Sequence, residues 1–562
     1  MGLISDFGVF MGRFAFSRFD HYTSHAMETQ ERILKKIVEE NKDCELGKKF
    51  DFANIHSIRD YQEKVPLTTF EDYAPLIDRM IENNENNIIT SKKIIRYCAS
   101  SGTAGKPKLQ PKTGRDIWNM QCCGFAATPG CADRYFRSKG IMKKLPGQIG
   151  PMMMSLNGHK LKNGMMSNGA AQVPFQYLRP ILKFFITTPE DILYPEDEEN
   201  TNISYFQMLF ALENRKVTFL GSMVITMLSN AFEYLEQNWE MICNDIETGT
   251  IDPSVKCPDS LRKKYGHRKP NPKRAAELRA IFEQGFDEPV AQKIWPRLCW
   301  GYGMISSTLS VYMETLRRYI GDLPMHNMGY AASEGYMAMP VELNASDYVL
   351  LPRSLFYEFL PVNDDEEIPD VKPITLDKLE VGKKYEIIVT NFSGLYRYRI
   401  LDIVKCTGTY NQSKKIEFLY RSNMGLNIAN EKTTTDMLDF VVEKVQEKFG
   451  LKFEGFSFYS QTDSDSKHYE LYVECDSDVI AEKKEEINEY IDQMFRETNE
   501  KYDKYRHWGM IGMPEIIQFE NGTYEAYKQS LVAQGRILNQ IKPVTVINTP
   551  EKKEFFFAHI KK

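Results

Sequence analysis

Three short stretches, far apart in the sequence, carry side chains suited to binding a nucleotide. The first, SSGTAGKPK from residue 100 to 108, combines hydroxyls, glycines and two lysines, the groups that line a concave anion site. It differs from a Walker loop, which needs four residues between its glycines and Ser or Thr after its lysine. Here two residues lie between the glycines and Pro107 follows Lys106. The stretch predicts a loop for polyphosphate oxygens, with a flexible surface loop as the alternative.

Two later motifs supply the groups that this loop lacks. YAASEG begins at Tyr330 and places a hydroxyl and the carboxylate of Glu334 in a turn of small residues, while YRILD ends a β-rich run at Asp402. An aromatic face can stack on a purine, a carboxylate can hold Mg²⁺ against phosphate oxygens, and an Asp can accept both ribose hydroxyls. Together the motifs predict an ATP site. Taken singly, Tyr330 also fits a core aromatic, Glu334 a surface charge and Asp402 a turn former.

The elements around these motifs predict α/β layering. Residues 94–98 form a short apolar run that reads as a strand, so the glycine-rich loop leaves the end of a strand. From about residue 115 to 330, helical stretches alternate with short strands. Residues 383–420 are β-rich runs separated by Ser-Gly and Thr-Gly turns, which predicts a local antiparallel unit.

A second domain is predicted after Arg421. The segment SNMGLNIANE leads into about 130 residues that begin with a helix at 432–449 and continue with alternating strands and helices, the size of an independent domain. We therefore expect an N-terminal domain at 1–422 that binds ATP and the acid, a hinge at 423–430 and a mobile C-terminal domain at 431–562.

Composition and charge narrow the function classes. The 562 residues contain 71 Lys and Arg against 77 Asp and Glu, and this net charge of −6 argues against a general nucleic-acid binder. The basic run at 262–274 predicts a solvated loop or, alternatively, an anion or partner site. Ten scattered cysteines without a C-x-x-C pair predict a reducing compartment, the cytoplasm. No segment reaches eighteen uninterrupted apolar residues, so we expect no membrane span.

The order of the motifs resembles that of the adenylate-forming superfamily, which includes acyl-CoA ligases and luciferases. Within it, the sequence is similar to the Gretchen Hagen family of auxin-responsive acyl-acid amido synthetases. The narrower resemblance rests on the following stretches, which run from about residue 95 to 543: SSGTAGKPK, DIETGTIDPSV, YAASEG, LFYEFLPV, LYRYRILDIVKCTG, NIANEKTT, NGTYEAY and NQIKP. It implies an α/β fold with a large luciferase-like N-terminal domain, a β-rich subdomain and a small mobile α+β domain.

The resemblance also implies a role for individual residues in binding ATP and Mg²⁺. Those expected around ATP are Ser100, Ser101, Thr103 and Lys108 at the β- and γ-phosphates, Tyr330 at adenine, Ser333 at the α-phosphate, Asp402 at the ribose and Arg421 nearby. Glu334 is expected to hold Mg²⁺. Lys432 matches the family lysine that meets the α-phosphate when the small domain closes, and Lys542 takes a second lysine position near the C-terminus.

Three positions depart from the family pattern. Ala104 stands where relatives usually carry Ser or Thr, Ala332 replaces a usual Ser, and Leu401 replaces the glycine that normally precedes the ribose-binding Asp. None of these changes removes a charged group that the chemistry needs. They leave open an altered loop geometry, weaker ATP binding or a partly degenerate enzyme.

The function that follows is an ATP-dependent ligase. It would adenylate a carboxylic acid, releasing pyrophosphate, and transfer the acyl group to the amine of an amino acid, releasing AMP. The alternatives are an acid–thiol ligase like the acyl-CoA ligases and a non-catalytic nucleotide-binding homologue. A monomer is expected. The acid is not evident from the residues, because the methionine-rich stretch at 152–166 suits an irregular apolar ligand and a hydrophobic core equally well.

Overall fold

The chain divides into two compact units, as seen in a computed structural model. One unit comprises Met1–Ser100 and Leu109–Tyr420, and the other comprises Ser101–Lys108 and Arg421–Lys562. The structure describes residues 3–99, 108–154, 156, 159–168, 179–180, 182–198, 200–305, 310–362, 368, 371–421, 424–429, 431–463, 466–533 and 544–561. Across these ranges no helix combines the length and the apolar character that crossing a membrane requires.

An antiparallel sheet of eight strands forms the β-rich part of the larger unit. In spatial order its strands are Ile374–Thr375, Phe356–Val362, Lys384–Thr390, Tyr398–Tyr410, Ser413–Arg421, Tyr348–Leu350, Gly335–Met339 and Tyr330–Ala332. One of its faces is covered by N-terminal helices, Ala26–Asn41, Ile58–Lys64 and Phe70–Glu82, whose apolar side chains share one buried core with the sheet. The antiparallel unit predicted at 383–420 is therefore present, within a larger sheet.

A second layer of the larger unit is the alternating α/β region. Four parallel strands, Met152–Met153, Phe219–Val224, Trp300–Met304 and Met325–Asn327, lie side by side. They pack against helices that include Ile203–Glu213, Ile225–Thr248, Pro272–Phe282 and Ser310–Ile320. Parallel strands need long crossover connections, and helices supply them here. The alternation predicted from residue 115 to 330 is thus a covered parallel sheet.

The glycine-rich stretch lies between two paired strands of the larger unit. Ile94–Ala99 runs antiparallel to Leu109–Thr113, and Met166–Asn168 and His159–Lys160 complete this small sheet. The strand predicted at 94–98 is therefore confirmed. The helix Gly114–Cys123 follows directly after Thr113, and Leu3–Ser24 and Thr128–Ser138 are further helices of this unit.

The basic run at 262–274 is a solvated loop only in part, since its four lysines are exposed and its arginines are not. It spans the end of the helix Asp259–Tyr265 and the start of Pro272–Phe282. Arg274 is buried and donates to the carbonyl oxygens of Leu212 and Ile294 at 2.8 and 2.9 Å, while Arg268 pairs with Glu213 at 2.9 Å. For the arginines the prediction was wrong, because these guanidinium groups donate to main-chain carbonyls inside the fold, a role that charge counting does not detect.

The smaller unit is a two-layer α+β structure. The strands Gly455–Gln461 and His468–Glu474 are antiparallel, and Glu515–Gln518 joins the latter in parallel. The helices Thr435–Phe449, Lys484–Thr498 and Glu500–His507 cover this sheet, and Thr523–Ala533 and Pro550–Phe557 follow. A two-stranded ribbon, Met424–Leu426 with Thr433–Thr434, stands before the first helix. The predicted helix at 432–449 thus begins at Thr435, leaving Lys432 outside it.

Candidate active site

Glu334 and Ser333 form the tip of a tight hairpin at the edge of the eight-stranded sheet. The hairpin joins the strands Tyr330–Ala332 and Gly335–Met339, with Ala332 opposite Gly335. Both tip side chains are buried, and Ser333 Oγ lies 3.1 Å from Glu334 Oε2. A buried carboxylate must be compensated by hydrogen bonds or charge. The interpretation of Glu334 as a surface charge is therefore wrong.

The strand that leaves the glycine-rich stretch reaches this glutamate. Gln110 donates through Nε2 to Glu334 Oε1 at 2.5 Å. Lys112 donates to the main-chain oxygen of Glu334 at 3.2 Å, and Asn391 donates to the same oxygen at 2.9 Å. The strand that follows the glycine-rich stretch therefore contacts the second motif through side chains two and four positions after Lys108.

A buried polar cluster supports these contacts. Lys112 lies 3.3 Å from Asp116 at the start of the next helix, and Asp116 also accepts a short hydrogen bond from Ser393. The side-chain oxygen of Asn391 accepts from the main-chain nitrogens of Ser393 and Leu395. Because a lone buried charge is costly, the pairing of Lys112 with Asp116 keeps this cluster satisfied. The cluster fixes the Asn391 turn against the hairpin.

The second and third motifs meet at Tyr330 and Asp402. The Tyr330 hydroxyl donates to Asp402 Oδ2 at 2.6 Å, and both side chains are buried. The Tyr330 ring lies 5.9 Å from that of Phe418, tilted by 36°. Asp402 lies on the strand Tyr398–Tyr410. It is therefore a strand residue, and the alternative prediction of a turn former is wrong.

Leu401, next to Asp402, has a left-handed backbone. Its φ is +68°, a conformation that costs a branched residue about 1 kcal/mol or more and that glycine adopts freely. This gives the physical reason for the glycine expected at this position from the family resemblance. In this chain a leucine adopts the left-handed backbone, and the strand Tyr398–Tyr410 continues through it to Asp402.

Two arginines of the third motif region have structural roles. Arg397 forms a bidentate buried ion pair with Glu358, at 3.0 Å for each contact. Arg399 forms another with Glu386 at 2.7 and 2.8 Å. Fork-to-fork pairs of this kind fix orientation as well as charge. Of the charged residues in YRILD, only Asp402 reaches the second motif.

In the smaller unit, Lys432 lies on a loop held by its neighbour Glu431. Glu431 is buried, and its carboxylate accepts from the main-chain nitrogens of Ile428 and Ala429 at 2.5 and 2.6 Å and from the Tyr469 hydroxyl. Burial raises the pKa of this carboxyl above its ordinary value. The loop ahead of Lys432 is therefore fastened at several points.

The backbone of Lys432 is itself constrained. Its φ is +55°, and its main-chain nitrogen donates to Asn427 Oδ1 at 3.0 Å. Asn499 donates to the main-chain oxygen of Glu431 at 3.2 Å and to Thr433 Oγ1 at 3.1 Å, which ties both flanking residues to the helix Glu500–His507. A non-glycine residue in this region persists only where its surroundings impose it, as they do at functional sites.

Lys501 is a second lysine of this region. Burial, and next the positive charge of Lys432, lower its pKa to about 8 from an ordinary 10.5. It occupies the first turn of the helix Glu500–His507, whose N-cap is Asn499. No sequence motif marks Lys501, because its significance arises only when the fold brings the start of this helix to Lys432.

The remaining predicted residues divide into two groups. Lys108 and Arg421 are partly buried, with Arg421 at the end of the strand Ser413–Arg421. Ser100, Ser101, Thr103 and Lys542, like the departure Ala104, lie outside the described residues. Their roles stay predictions, as does rotation about residues 423–430. The methionines at 152–154 are fully buried in core clusters, which favours the core interpretation for that part of the stretch.

Gln110, Lys112 and Asn391 are site residues that sequence reasoning missed. Gln110 and Lys112 lie just past the glycine-rich stretch on a strand, and their side-chain types give no sign of their partner. Asn391 precedes a Ser-Gly turn, and Asn is common in turns for reasons unrelated to binding. Only the sheet registers place all three around Glu334.

Comparison with known proteins identifies the family. The chain matches the GH3 family N-terminal domain over residues 15–325, the central domain over 348–421 and the C-terminal domain over 436–551. A putative indole-3-acetic acid-amido synthetase, GH3.9 of Arabidopsis thaliana, is 28% identical over 557 residues, which cover 93% of this chain and 92% of that protein. Jasmonoyl–L-amino acid synthetase GH3.5 of Oryza sativa subsp. japonica is 26% identical, covering 96% and 95%.

A solved structure shares the fold. The GH3.15 acyl acid amido synthetase matches with a TM-score of 0.65 at 24% identity, covering 97% of this chain and 96% of that chain. The predicted α/β fold with a smaller α+β domain is confirmed. The relatives, named as amido synthetases, likewise confirm the predicted enzyme class of a ligase that joins an acid to an amino acid. Because the three domain matches span most of the sequence, the chain belongs to the GH3 family, the Gretchen Hagen family that its motifs predict.

Proposed function

We propose that this protein conjugates a carboxylic acid to an amino acid through an acyl-adenylate, using ATP. The observation that carries the proposal is a pair of contacts within the larger unit, each of which involves a residue of the second motif. Gln110 reaches Glu334, and Tyr330 reaches Asp402. Residues from three distant stretches contribute one connected set of phosphate-, metal- and ribose-binding groups.

Each group has a distinct role in this proposal. Tyr330 lies against the adenine, Asp402 accepts the ribose hydroxyls, and Ser333 donates toward the α-phosphate. Ser100, Ser101 and Thr103 close over the β- and γ-phosphates. Lys108 and Arg421 add positive charge for the nucleotide.

Glu334 suits Mg²⁺, which prefers hard oxygen ligands. Each of its carboxylate oxygens accepts one hydrogen bond from Gln110 or Ser333, and each retains a further lone pair. When bound, the ion would neutralise charge on the phosphate oxygens. The chain's own contribution is to hold the carboxylate in a fixed orientation from two sides.

The reaction balances in two displacements. A carboxylate oxygen of the acid attacks the α-phosphorus of ATP and pyrophosphate leaves, giving the acyl-adenylate. The amine of the amino acid then attacks the acyl carbon, AMP leaves and the amine loses a proton. Because the uncatalysed acid lacks a good leaving group, the protein acts mainly by alignment and charge neutralisation. Lys432 supplies a cation for the α-phosphate and Lys542 a second, after the smaller domain rotates about residues 423–430.

An acid–thiol ligase is the second candidate, since it shares the first displacement. The named relatives favour the amine as acceptor. A non-catalytic nucleotide-binding protein is less well supported, because the groups around Glu334 and Asp402 are intact. We place the reaction in the cytoplasm, because the eight cysteines whose side chains the structure describes are free thiols. We expect a monomer.

The test is carboxylate-dependent release of pyrophosphate over a panel of acids. Mass spectrometry of the products with mixed amino acids, or with coenzyme A, then identifies the acceptor. We expect an acid-dependent signal and an amide product. Unchanged pyrophosphate release in both Glu334→Ala and Lys432→Ala would rule out the assigned roles, and ATP binding without turnover across the panel would favour the non-catalytic alternative.

A further inference from the structure

Three potential metal ligands meet on the sheet of the smaller unit. His468 opens the strand His468–Glu474, and Glu470 stands two residues later on the same face. Glu515 opens the neighbouring parallel strand and is the register partner of Glu470. The pairing of these two strands therefore places one imidazole and two carboxylates side by side.

The ligand atoms converge at metal-like spacing. Nε2 of His468 lies 3.6 Å from Glu470 Oε1 and 4.0 Å from Glu515 Oε2, and the three ligand atoms lie within 4.8 Å of one another. These separations exceed those of hydrogen bonds. They are close to the roughly 3.4 Å that separates neighbouring ligands around a tetrahedral ion with bonds near 2.1 Å. If Nε2 of His468 and Oε1 of Glu470 move a few tenths of an ångström closer, their separation matches this spacing.

Each ligand is also anchored through its other polar atom. Nδ1 of His468 contacts the main-chain oxygen of Ser466 at 2.7 Å, and since a carbonyl only accepts, Nδ1 carries the proton. Glu470 Oε2 accepts from the Tyr472 hydroxyl at 2.7 Å. Glu515 Oε1 contacts the ammonium of Lys484. Every ligand thus presents one atom to the centre and has its second atom held, the outer-sphere arrangement typical of metal-bound histidine and carboxylate.

We propose that His468, Glu470 and Glu515 bind a divalent transition-metal ion of the Zn²⁺ class. An imidazole nitrogen with two carboxylates favours Zn²⁺, Co²⁺ or Mn²⁺ over Ca²⁺ and Mg²⁺, which take oxygen ligands. The side chain of Glu515 is 39% exposed, so a fourth position faces solvent and takes water. None of the three ligands belongs to the motifs around Glu334 and Asp402, and none is among the residues proposed to contact the nucleotide.

The consequence of binding is structural. The ion would clamp two parallel strands whose connection runs through residues 475–514 and the helices within them. Closing a long connection restricts the unfolded chain more than the folded one. Because the ion binds the folded unit, it stabilises that unit by mass action.

The experiment uses the full-length chain, stripped of metal with EDTA and then dialysed. Calorimetric titration with ZnCl₂ measures stoichiometry and affinity, and Co²⁺ serves as a spectroscopic probe. We expect one ion per chain, d–d absorption without thiolate charge-transfer bands, and a rise of a few degrees in the unfolding temperature of the smaller unit. His468→Ala should weaken binding by roughly 100-fold or more, because it removes a direct ligand.

Two further variants test the anchoring of Glu470 and the specificity of the site. Tyr472→Phe removes only the anchor of Glu470, so affinity should fall by about 10- to 100-fold while the fold is retained. His507→Ala is the control, since His507 faces a single carboxylate, Asp503, at 3.3 Å, and its binding curve should match wild type. Absence of stoichiometric binding, an affinity unchanged in His468→Ala, or thiolate bands with Co²⁺ would each overturn the proposal. None of these readouts depends on ligase activity.

Discussion

The hydroxyl of Tyr330 donates a 2.6 Å hydrogen bond to Oδ2 of Asp402, and the two residues come from motifs 72 positions apart. The bond joins the edge strand Tyr330–Ala332 to the long strand Tyr398–Tyr410. It orients the Asp402 carboxylate, while the Tyr330 ring stays against Phe418. The groups proposed for adenine and ribose are therefore coupled.

Tyr330→Phe should weaken ATP binding without abolishing the reaction. The ring is retained, but a hydrogen bond to a charged group is lost, so we expect the KM for ATP to rise about 3- to 30-fold with kcat little changed. Pyrophosphate release at varied ATP measures both. Tyr348→Phe removes another buried hydroxyl, whose partner is Asn327 at 2.7 Å, and serves as control. Equal KM values in the two variants would contradict the coupling.

Glu334→Gln should lower acid-dependent pyrophosphate release by about 100-fold or more, because it removes the negative charge that is proposed to hold Mg²⁺. Gln110→Leu keeps the charge but loses one of the two side-chain contacts that orient it, and an intermediate loss is expected. Glu342→Gln, at an exposed position of the same unit, is the matched control. A Glu334→Gln enzyme as active as this control would exclude Glu334 from the reaction.

The cost of the Leu401 backbone can be isolated by two variants. Leu401→Ala loses side-chain contacts and keeps the strain of φ +68°, whereas Leu401→Gly loses the same contacts and relieves the strain. The glycine variant should therefore unfold with a free energy about 1 kcal/mol higher than the alanine variant, the reverse of the order expected in an ordinary strand. Urea unfolding measures the difference. A less stable glycine variant would show that the strain is negligible.

These positions show how far sequence reasoning reaches. The order of the motifs predicts that Tyr330, Glu334 and Asp402 serve one site, and the hydrogen bond between Tyr330 and Asp402 supports that prediction for two of them. Gln110 and Lys501 were missed, because an amide on a strand and a lysine on a helix acquire their roles only from neighbours that register and packing supply. The prediction of a solvated loop at 262–274 fails at the arginines for the same reason, because Arg274 donates to buried main-chain carbonyls.

Lys501 predicts a pH dependence of stability. Its pKa is about 8 in the folded unit and near 10.5 when unfolded, so between these values the unfolded chain binds more protons. Stability of the smaller unit should therefore rise with pH across this window, by at most about 1.4 kcal/mol per pH unit. Urea unfolding at about pH 7.5 and about pH 9.5 tests this, and Lys501→Met should flatten the rise.

The coupling of Lys501 to Lys432 can be tested separately. Lys432→Met removes one of the causes that depress the pKa of Lys501, so the midpoint of Lys501 titration should move upward. Competitive acetylation followed by peptide mass spectrometry reports the neutral amine at each pH. An unchanged midpoint in Lys432→Met would show that the two ammonium groups do not sense each other.

Glu431→Gln tests whether the Lys432 loop must be held. The two carboxylate oxygens of Glu431 accept from two main-chain nitrogens and from the Tyr469 hydroxyl. A glutamine side chain has only one acceptor oxygen, so at least one of these buried donors is left unsatisfied. We expect the smaller unit to lose about 1–3 kcal/mol of stability and kcat to fall with little change in the KM for ATP. Glu443→Gln, at an exposed position on the following helix, is the control. A full kcat in the Glu431→Gln variant would show that loop rigidity is dispensable.

The buried Arg397 has a consequence for how the chain can be shortened. Besides Glu358, its guanidinium donates to the main-chain oxygens of Gln62 and Val65 at 2.9 and 2.7 Å. A fragment that starts after residue 65 would keep the Glu358 ion pair but leave the guanidinium without these two main-chain acceptors, and buried donors left unsatisfied are destabilising. The helix Ile58–Lys64 and Val65 are thus part of the scaffold that holds the strand carrying Asp402. Minimal catalytic fragments must retain them.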